Sequence, residues 1–295
     1  MNPHIQSLRL RTLPLSVSGI ILGTGLAWKG LAVTGYREVF VLALALCTTL
    51  CLQILSNLAN ELGDALKGTD TDQHGRAAYG LQSGALTKQQ IIRMIRLFAG
   101  LSVGFGLALI WVGFSGDDLL INQPHEIVNS AVFIGLGLLA LIGAVTYTLG
   151  KHSYGYIGLG DLGVFLFFGL LSTAGAFYLQ TQTMTAEVMW SGAAIGLPCV
   201  GVLNLNNIRD MMNDRRHGKR TFAGWLGPIG ARCYHTALLI ACLAIFAAYG
   251  HYWSLCILPV WIGHLHYIWT RHEKLDKQMP VLMFSTLIVA LLCIF

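Results

Sequence analysis

The sequence predicts an all-α integral membrane protein with nine transmembrane helices. Three observations carry that expectation. First, 55% of the 295 residues are apolar and only 11% are charged, whereas a soluble domain carries about a quarter charged residues. Second, apolar runs of roughly 20 residues, the length that spans a hydrocarbon core, recur along the whole chain. Third, the basic residues collect in alternate loops, as the positive-inside rule requires.

The expected spans are 13–33, 38–60, 90–113, 128–149, 157–179, 188–208, 231–250, 252–269 and 279–295, each end being soft by several residues. The first apolar run, from Leu13, reads as a retained span, because no small-residue cleavage site follows it. With the N-terminus cytosolic, Arg9, Arg11, the 64–89 loop, Lys151, the 209–232 loop and the 270–278 loop lie inside. Of the 19 Lys and Arg residues only Lys29 and Arg37 fall outside. The outer 114–127 loop carries Asp117, Asp118 and Glu126 and no cation. Abundant glycine, 34 residues in all, suits close helix packing in lipid. The polar loops are too short for a soluble domain, so residues 1–295 read as one membrane domain.

Seven cysteines, mostly within spans and without a Cys-x-x-Cys pair, read as packing residues. The net charge of +5 is accounted for by the cytosolic loops and calls for no nucleic-acid partner. The histidines show no ligand spacing, and His264 and His266 read as incidental.

Two acidic, amide-rich stretches stand out. One runs Asn57-Leu-Ala-Asn60-Glu61-Leu-Gly-Asp64 and continues to Asp70 and Asp72. The other runs Asn204-Leu-Asn206-Asn207-Ile-Arg209-Asp210-Met-Met-Asn213-Asp214. Carboxylates this close to lipid are costly and imply a function. Each stretch follows an even-numbered span, so both face the cytosol. On a helix, Asn57, Asn60/Glu61 and Asp64 share a face, as do Asn206, Asp210 and Asp214. Such columns of hard oxygen ligands suit magnesium, which keeps several waters and completes its shell with substrate phosphate. Lys67 and Arg76 beside the first stretch, and Arg209, Arg215, Arg216, Lys219 and Arg220 around the second, fit a polyanion held between the columns. A solvated surface pair is the plainer reading of either stretch alone. The stretches lie about 150 residues apart, each ending the second helix of a four-helix set. This suggests two four-helix modules plus a ninth helix.

The two stretches, together with Arg11-Thr-Leu-Pro14-Leu and Gly158-Leu-Gly-Asp161-Leu-Gly-Val-Phe-Leu-Phe-Phe-Gly169, resemble the UbiA superfamily of intramembrane aromatic prenyltransferases. The run from Asn206 through Asp210 and Asp214 to Gly218-Lys219-Arg-Thr221 is similar to the naphthoate-prenylating branch rather than the 4-hydroxybenzoate branch. One position departs from the pattern: Glu61 stands where the family usually has aspartate.

The resemblance implies a UbiA-like fold in a bacterial cytoplasmic membrane, with the active site on the cytosolic side. It implies a magnesium-dependent enzyme, with two ions expected, that moves a polyprenyl group from its diphosphate to 1,4-dihydroxy-2-naphthoate with loss of the carboxylate, giving demethylmenaquinone. Another aromatic acceptor, such as 4-hydroxybenzoate, stays open, and so does a transporter with a charged mouth. Asn60, Asp64, Asp70, Asp210 and Asp214 are the implied metal residues, with Asp64, Asp210 and Asp214 catalytic. Substrate-binding candidates are Arg11, Asn57, Lys67, Arg76, Lys151, Asp161, Asn207, Arg209 and Lys219. For Asp161 a helix cap is the alternative, for Lys151 an interfacial anchor, and for Arg11 a topology determinant.

Overall fold

The computed structural model describes residues 2–30, 35–69, 80–115, 121, 123–151, 153–271 and 275–295. Asp70, Asp72, Arg76, Asp117, Asp118 and His152 lie outside the described residues. Among the described residues the regular structure is helical. A short α1 (Pro3–Ser7) and a 3-10 turn (Leu10–Thr12) lead into α2 (Leu13–Gly30), α3 (Tyr36–Lys67), α4 (Lys88–Phe114) and α5 (Pro124–Thr146). After a 3-10 turn (Tyr154–Tyr156), α6 (Gly160–Val164), a π-helical stretch (Phe165–Leu171) and α7 (Ser172–Thr181) form one continuous rod. Then follow α8 (Ala186–Arg216), α9 (Phe222–Ala248), a 3-10 stretch (Tyr252–Ile257), α10 (Leu258–Thr270) and α11 (Gln278–Leu292).

Local chemistry sets the helix starts. Thr87 accepts from Gln90 N at 3.3 Å while Gln90 Oε1 accepts from Thr87 N at 2.7 Å, a reciprocal capping box opening α4. Thr185 and Thr221 cap α8 and α9 through the Val188 and Gly224 amides.

Eight of these helices are long and apolar enough to cross a membrane. The ninth expected span, 252–269, is built from the 3-10 stretch and α10. At about 2 Å and 1.5 Å rise per residue these cover roughly 30 Å, enough to cross. Contacts at the two ends of the bundle fix its direction. His251 lies 3.2 Å from Glu187 at the start of α8, and Asp276 pairs with Arg209 near the other end of α8. The chain between His251 and Asp276 therefore traverses the bundle. Lys29 donates to the Cys293 carbonyl, so α11 returns to the end where α2 finishes.

The main core joins α2, α7, α8, α9, α10 and α11 through residues such as Leu22, Ile195, Leu205, Phe246, Trp261 and Leu282. Glycines let backbones approach closely, and a Cβ on Gly23 of α2 would collide with Thr173 O of α7. A Cβ on Gly169 would meet Gly192 O at 2.6 Å and Gly196 Cα at 2.7 Å, so the π-helical stretch lies directly on α8. α3 packs mainly on α4, and α8 on α9, while α2 packs chiefly on α7 and α11, across the two expected modules. Helices α4 and α5 leave most of their surface outward, towards lipid.

One expectation is corrected here. His264 is not incidental: it is buried, its Nε2 lies 3.0 Å from His235 Nε2, and its Nδ1 meets Gln278 Oε1 at 2.8 Å. Trp261, one turn earlier on α10, donates to Ser285. In a low-dielectric interior such polar side chains need one another, and here they tie α9, α10 and α11 together. Of the cysteines, Cys51, Cys199, Cys242 and Cys293 are buried, in keeping with a packing role.

Candidate active site

The two acidic stretches are the last turns of α3 and α8, and both helices end in the same way. Gly68 (φ 72°) follows α3 in the left-handed region, and Thr69 N donates to Asp64 O at 3.1 Å. Gly218 (φ 72°) follows α8, and Lys219 N donates to Asp214 O at 2.8 Å. These are Schellman caps, with Asp64 and Asp214 at equivalent places, four residues before the glycine. A carboxylate in the last turn meets the negative end of the helix dipole, so each needs a cation.

Asp64 Oδ1 accepts a 2.7 Å hydrogen bond from the Tyr156 hydroxyl, which also meets Thr69 Oγ1 at 3.1 Å. Lys67 Nζ sits 3.6 Å from the Tyr156 ring centroid, and Lys219 Nζ 5.6 Å from it. Lys67 also donates to the Thr148 carbonyl at 2.7 Å and to Ser153. Burial first, and then the Asp64 charge, hold the Tyr156 phenol protonated well above its usual range, so it stays a donor. The turn is pinned to the second stretch as Arg220 N donates to Tyr156 O at 3.0 Å, and Asn213 Nδ2 to Thr69 O at 2.7 Å.

Asp214 is only 4% exposed. Lys219 Nζ lies 3.2 Å from its Oδ2 and donates to Oδ1 at 3.3 Å, and the charges of Asp210 and Asp64 both reach it. Asp210 is gripped in a fork by Arg209, Nε to Oδ1 at 2.8 Å and Nη2 to Oδ2 at 2.7 Å. The same guanidinium bonds Asn206 and Asp276. Among the described residues, no three His, Cys, Asp or Glu side chains converge as a ready-made metal cage. The donor set still suits a hard cation: oxygen ligands from Asn60, Asp64, Asp210 and Asp214, at helix ends whose dipoles favour positive charge.

Beside this cluster opens a cavity of about 780 Å³. Arg9, Arg11, Gln53, Asn60, Asn206 and Arg209 line its polar mouth, with Asp276 among them. Its walls are apolar, including Phe133, Leu136, Phe167, Phe168 and Leu179. On α3 the lining runs from Asn60 back to Ala45, which at 1.5 Å per residue is about 22 Å of depth. The π-helical stretch supplies Phe167, Phe168 and Leu171, a wide turn of the kind common at functional sites.

The structure brings Asp64, Lys67, Lys219, Asp210, Asp214 and Arg209 to one end of the bundle, and puts Arg11, Asn57, Asn60 and Arg209 on the cavity lining. The first column is corrected. Only Asn60 and Asp64 face the 148–156 segment, through Thr148 and Tyr156. Glu61 is fully buried and turns away, accepting from Leu81 N at 2.7 Å and Ser7 Oγ at 3.2 Å. Asn57 is committed to the Leu8 carbonyl and Thr12. Asn207 is buried, and Lys151 is exposed, and neither lines the cavity. Asp161, in the first turn of α6, takes a hydrogen bond from Tyr234 of α9. Asp70 and Arg76 lie outside the described residues. Sequence reasoning missed Tyr156, Arg9 and Gln53. Tyr156 is invisible there because its role comes from a turn folded back on α3.

Residues 20–291 match the model of the UbiA prenyltransferase family. The chain is 42% identical over 245 residues to the 1,4-dihydroxy-2-naphthoate octaprenyltransferase of Escherichia coli (strain K12), covering 82% of this chain and 75% of that protein. It is 32% identical over 297 residues to the enzyme of the same name from Haemophilus influenzae (strain ATCC 51907 / DSM 11121 / KW20 / Rd), covering 97% of this chain and 92% of that one. In fold it is similar to a UbiA homolog from Archaeoglobus fulgidus bound to GPP and Mg2+, with TM-score 0.65 and 14% identity, covering 99% of this chain and 96% of that one. A UbiA homolog from Aeropyrum pernix K1 gives a TM-score of 0.64 at 17% identity, covering 99% and 97%.

Proposed function

We propose that this chain, which belongs to the UbiA prenyltransferase family, transfers a polyprenyl group from its diphosphate to 1,4-dihydroxy-2-naphthoate. The observation that carries the chemistry is an apolar cavity that begins beside two carboxylate-bearing, lysine-flanked helix ends. The names of the relatives support the acceptor. Carbon–oxygen cleavage leaves the electron pair on the departing diphosphate, a ring carbon forms the new bond, and the carboxylate leaves as carbon dioxide. The immediate product is demethylmenaquinol, and a separate two-electron oxidation outside this step gives demethylmenaquinone.

In this reading Asn60, Asp64, Asp70, Asp210 and Asp214 hold magnesium, two ions in all. When bound, the ions supply positive charge to the diphosphate. Lys67, Lys219 and Arg76 hold the same anion and stabilise the leaving charge. Tyr156 keeps the Asp64 carboxylate oriented. The apolar walls carry the prenyl tail and keep water from the allylic cation. The acidic end faces the cytosol of a bacterial cytoplasmic membrane, as the basic loops require.

The test is purified protein with magnesium, a polyprenyl diphosphate and either 1,4-dihydroxy-2-naphthoate or 4-hydroxybenzoate. Prenylated, decarboxylated naphthoquinol is expected, and EDTA is expected to abolish it. Preferential turnover of 4-hydroxybenzoate would overturn the acceptor. Ion flux without prenyl transfer would overturn the enzyme reading.

A further inference from the structure

The outward face of α4 carries two arginines that the bundle leaves towards lipid. Ile91, Ile95 and Phe98 turn inward, to the core shared with Ile54, Leu58 and Leu62 of α3. On the opposite face Gln89, Arg93, Arg96, Gly100 and Gly104 follow one another three or four residues apart, so they form one column along the helix. All five are exposed. α4 contains no acidic residue, so neither arginine has a carboxylate one turn away on its own helix. Leu97 and Leu101 beside them are exposed as well. Cations on such an apolar surface are unfavourable unless an anion meets them.

Height along α4 identifies the anion. Arg37 donates to the Gly113 carbonyl at 2.7 Å, which sets the start of α3 beside the end of α4, and Trp111 is exposed there as an interfacial aromatic. Going back from Gly113, Arg96 lies about 26 Å and Arg93 about 30 Å along the helix at 1.5 Å per residue. A hydrocarbon core is about 30 Å thick. The two guanidiniums therefore stand at its far boundary, where lipid phosphates lie, on the end of the bundle that holds Asp64. Next along the column, a Cβ on Gly100 or Gly104 meets no described atom within 4 Å. The glycines leave a shallow groove, flanked by Leu97 and Leu101 on one side and Val103 and Leu107 on the other. Neither arginine lines the central cavity.

We propose that Arg93 and Arg96 hold the phosphate of an anionic phospholipid whose acyl chain lies along the Gly100–Gly104 groove. Side chains three residues apart on a helix are neighbours, about 5–6 Å between Cβ atoms. Two guanidiniums at that spacing share one phosphate through charge-assisted forks. Gln89, one turn nearer the helix start, meets the rest of the headgroup. A second copy of the chain fits this face poorly. Two copies oriented alike in one membrane meet about a two-fold axis along its normal, which sets each arginine against its own counterpart at the same height. A soluble acidic segment does not match either, because Arg96 is followed at once by the apolar, lipid-facing part of the helix.

The experiment titrates the full chain, delipidated in detergent, with phosphatidylglycerol or phosphatidylcholine and counts bound lipid by native mass spectrometry. Inorganic phosphate serves as competitor. The wild type is expected to prefer phosphatidylglycerol by roughly tenfold or more, a comparison that needs no variant. Arg93→Gln with Arg96→Gln should weaken phosphatidylglycerol roughly twentyfold, at about fivefold for each arginine. Arg93→Lys with Arg96→Lys should keep part of the affinity. Lys88→Gln removes the same charge from the same helix but off the column, and should stay within about twofold of the wild type. Circular dichroism checks the fold of each variant. Equal wild-type affinity for the two lipids overturns the inference. So does a loss in Lys88→Gln as large as in the double variant, since diffuse charge would then suffice. Displacement of phosphatidylglycerol by inorganic phosphate at matched concentration overturns it in favour of a free-anion site. A wild-type dimer split by Gly104→Leu with lipid binding unchanged overturns it in favour of a second copy.

Discussion

The Tyr156 hydroxyl donates to Asp64 Oδ1 at 2.7 Å, across 92 residues of chain. The phenol is also packed beside the ammonium groups of Lys67 and Lys219. One side chain therefore orients the carboxylate of the first acidic helix and stacks on the cations of both. Removing the hydroxyl in Tyr156→Phe leaves the ring and its cation contacts. Partners that orient metal-ligating groups typically contribute ten- to hundredfold to affinity or activity. The expected outcome is a loss of roughly that size in kcat/KM, with an altered magnesium activation curve. A magnesium titration of initial rates reads it, and wild-type values would show that the bond is ornamental.

Asp64→Asn and Asp214→Asn remove charge from the two equivalent cap positions while preserving shape. Each is expected to lower prenyl transfer by about a hundredfold or more, the usual scale for losing a group that stabilises transition-state charge. Melting temperature should change little for Asp64→Asn, where an amide relieves the unfavourable interaction with the helix C-terminus, and fall for Asp214→Asn, which leaves the largely buried Lys219 ammonium without its partner. Product formation and a melting curve are measured on the same preparation. Robust turnover by both variants would dissolve the metal assignment.

Glu61 should behave as a structural residue. Its Oε1 is the acceptor for Leu81 N and Ser7 Oγ in a fully buried setting. Glu61→Ala orphans both donors and is expected to cost about 1–3 kcal/mol of stability. Its magnesium activation constant should match the wild type after correction for folded fraction. Equilibrium unfolding in detergent, followed by circular dichroism, measures the first quantity. A large shift in magnesium dependence with unchanged stability would make Glu61 a ligand after all.

Tail length should be set by the apolar cavity. Gly175 lines it, and the nearest heavy atom to an added Cβ is Phe133 Cε1 at 3.9 Å. Gly175→Leu therefore extends into open space on the path of the tail. The variant is expected to lose turnover with long polyprenyl diphosphates by about tenfold or more, while keeping it with geranyl diphosphate. Chain-length competition assays resolve this. An unaltered length profile would place the tail elsewhere.

Much of the fold was legible because lipid imposes a simple rule: each crossing is an apolar run. Eight spans follow it closely, and the ninth was found by hydropathy although it begins as a 3-10 stretch. The acids at 64, 210 and 214 were legible because carboxylates are rare in such a chain. Helical period alone put Glu61 in the same column as Asn57, Asn60 and Asp64, because it gives angle but not which neighbour waits at that angle. Glu61 met the Leu81 amide, while Asn57 lines the cavity and also holds the turn before α2. Tyr156 and Arg9 were beyond pattern reading altogether. Their places depend on a loop folded back and a left-handed backbone, neither of which leaves a periodic trace.

The paired glycine stops after α3 and α8 act as a depth gauge. A helix closed by a left-handed glycine ends at a set residue, whatever the thickness of the surrounding lipid. Asp64 and Asp214 therefore hold equivalent places on their helix ends through Gly68 and Gly218, and the bond from Asn213 Nδ2 to Thr69 O ties the two ends together. A bilayer that thins or swells tilts the spans, yet the two acids keep their mutual spacing. Activity in vesicles of graded acyl length should accordingly vary less than the tilt of the helices does.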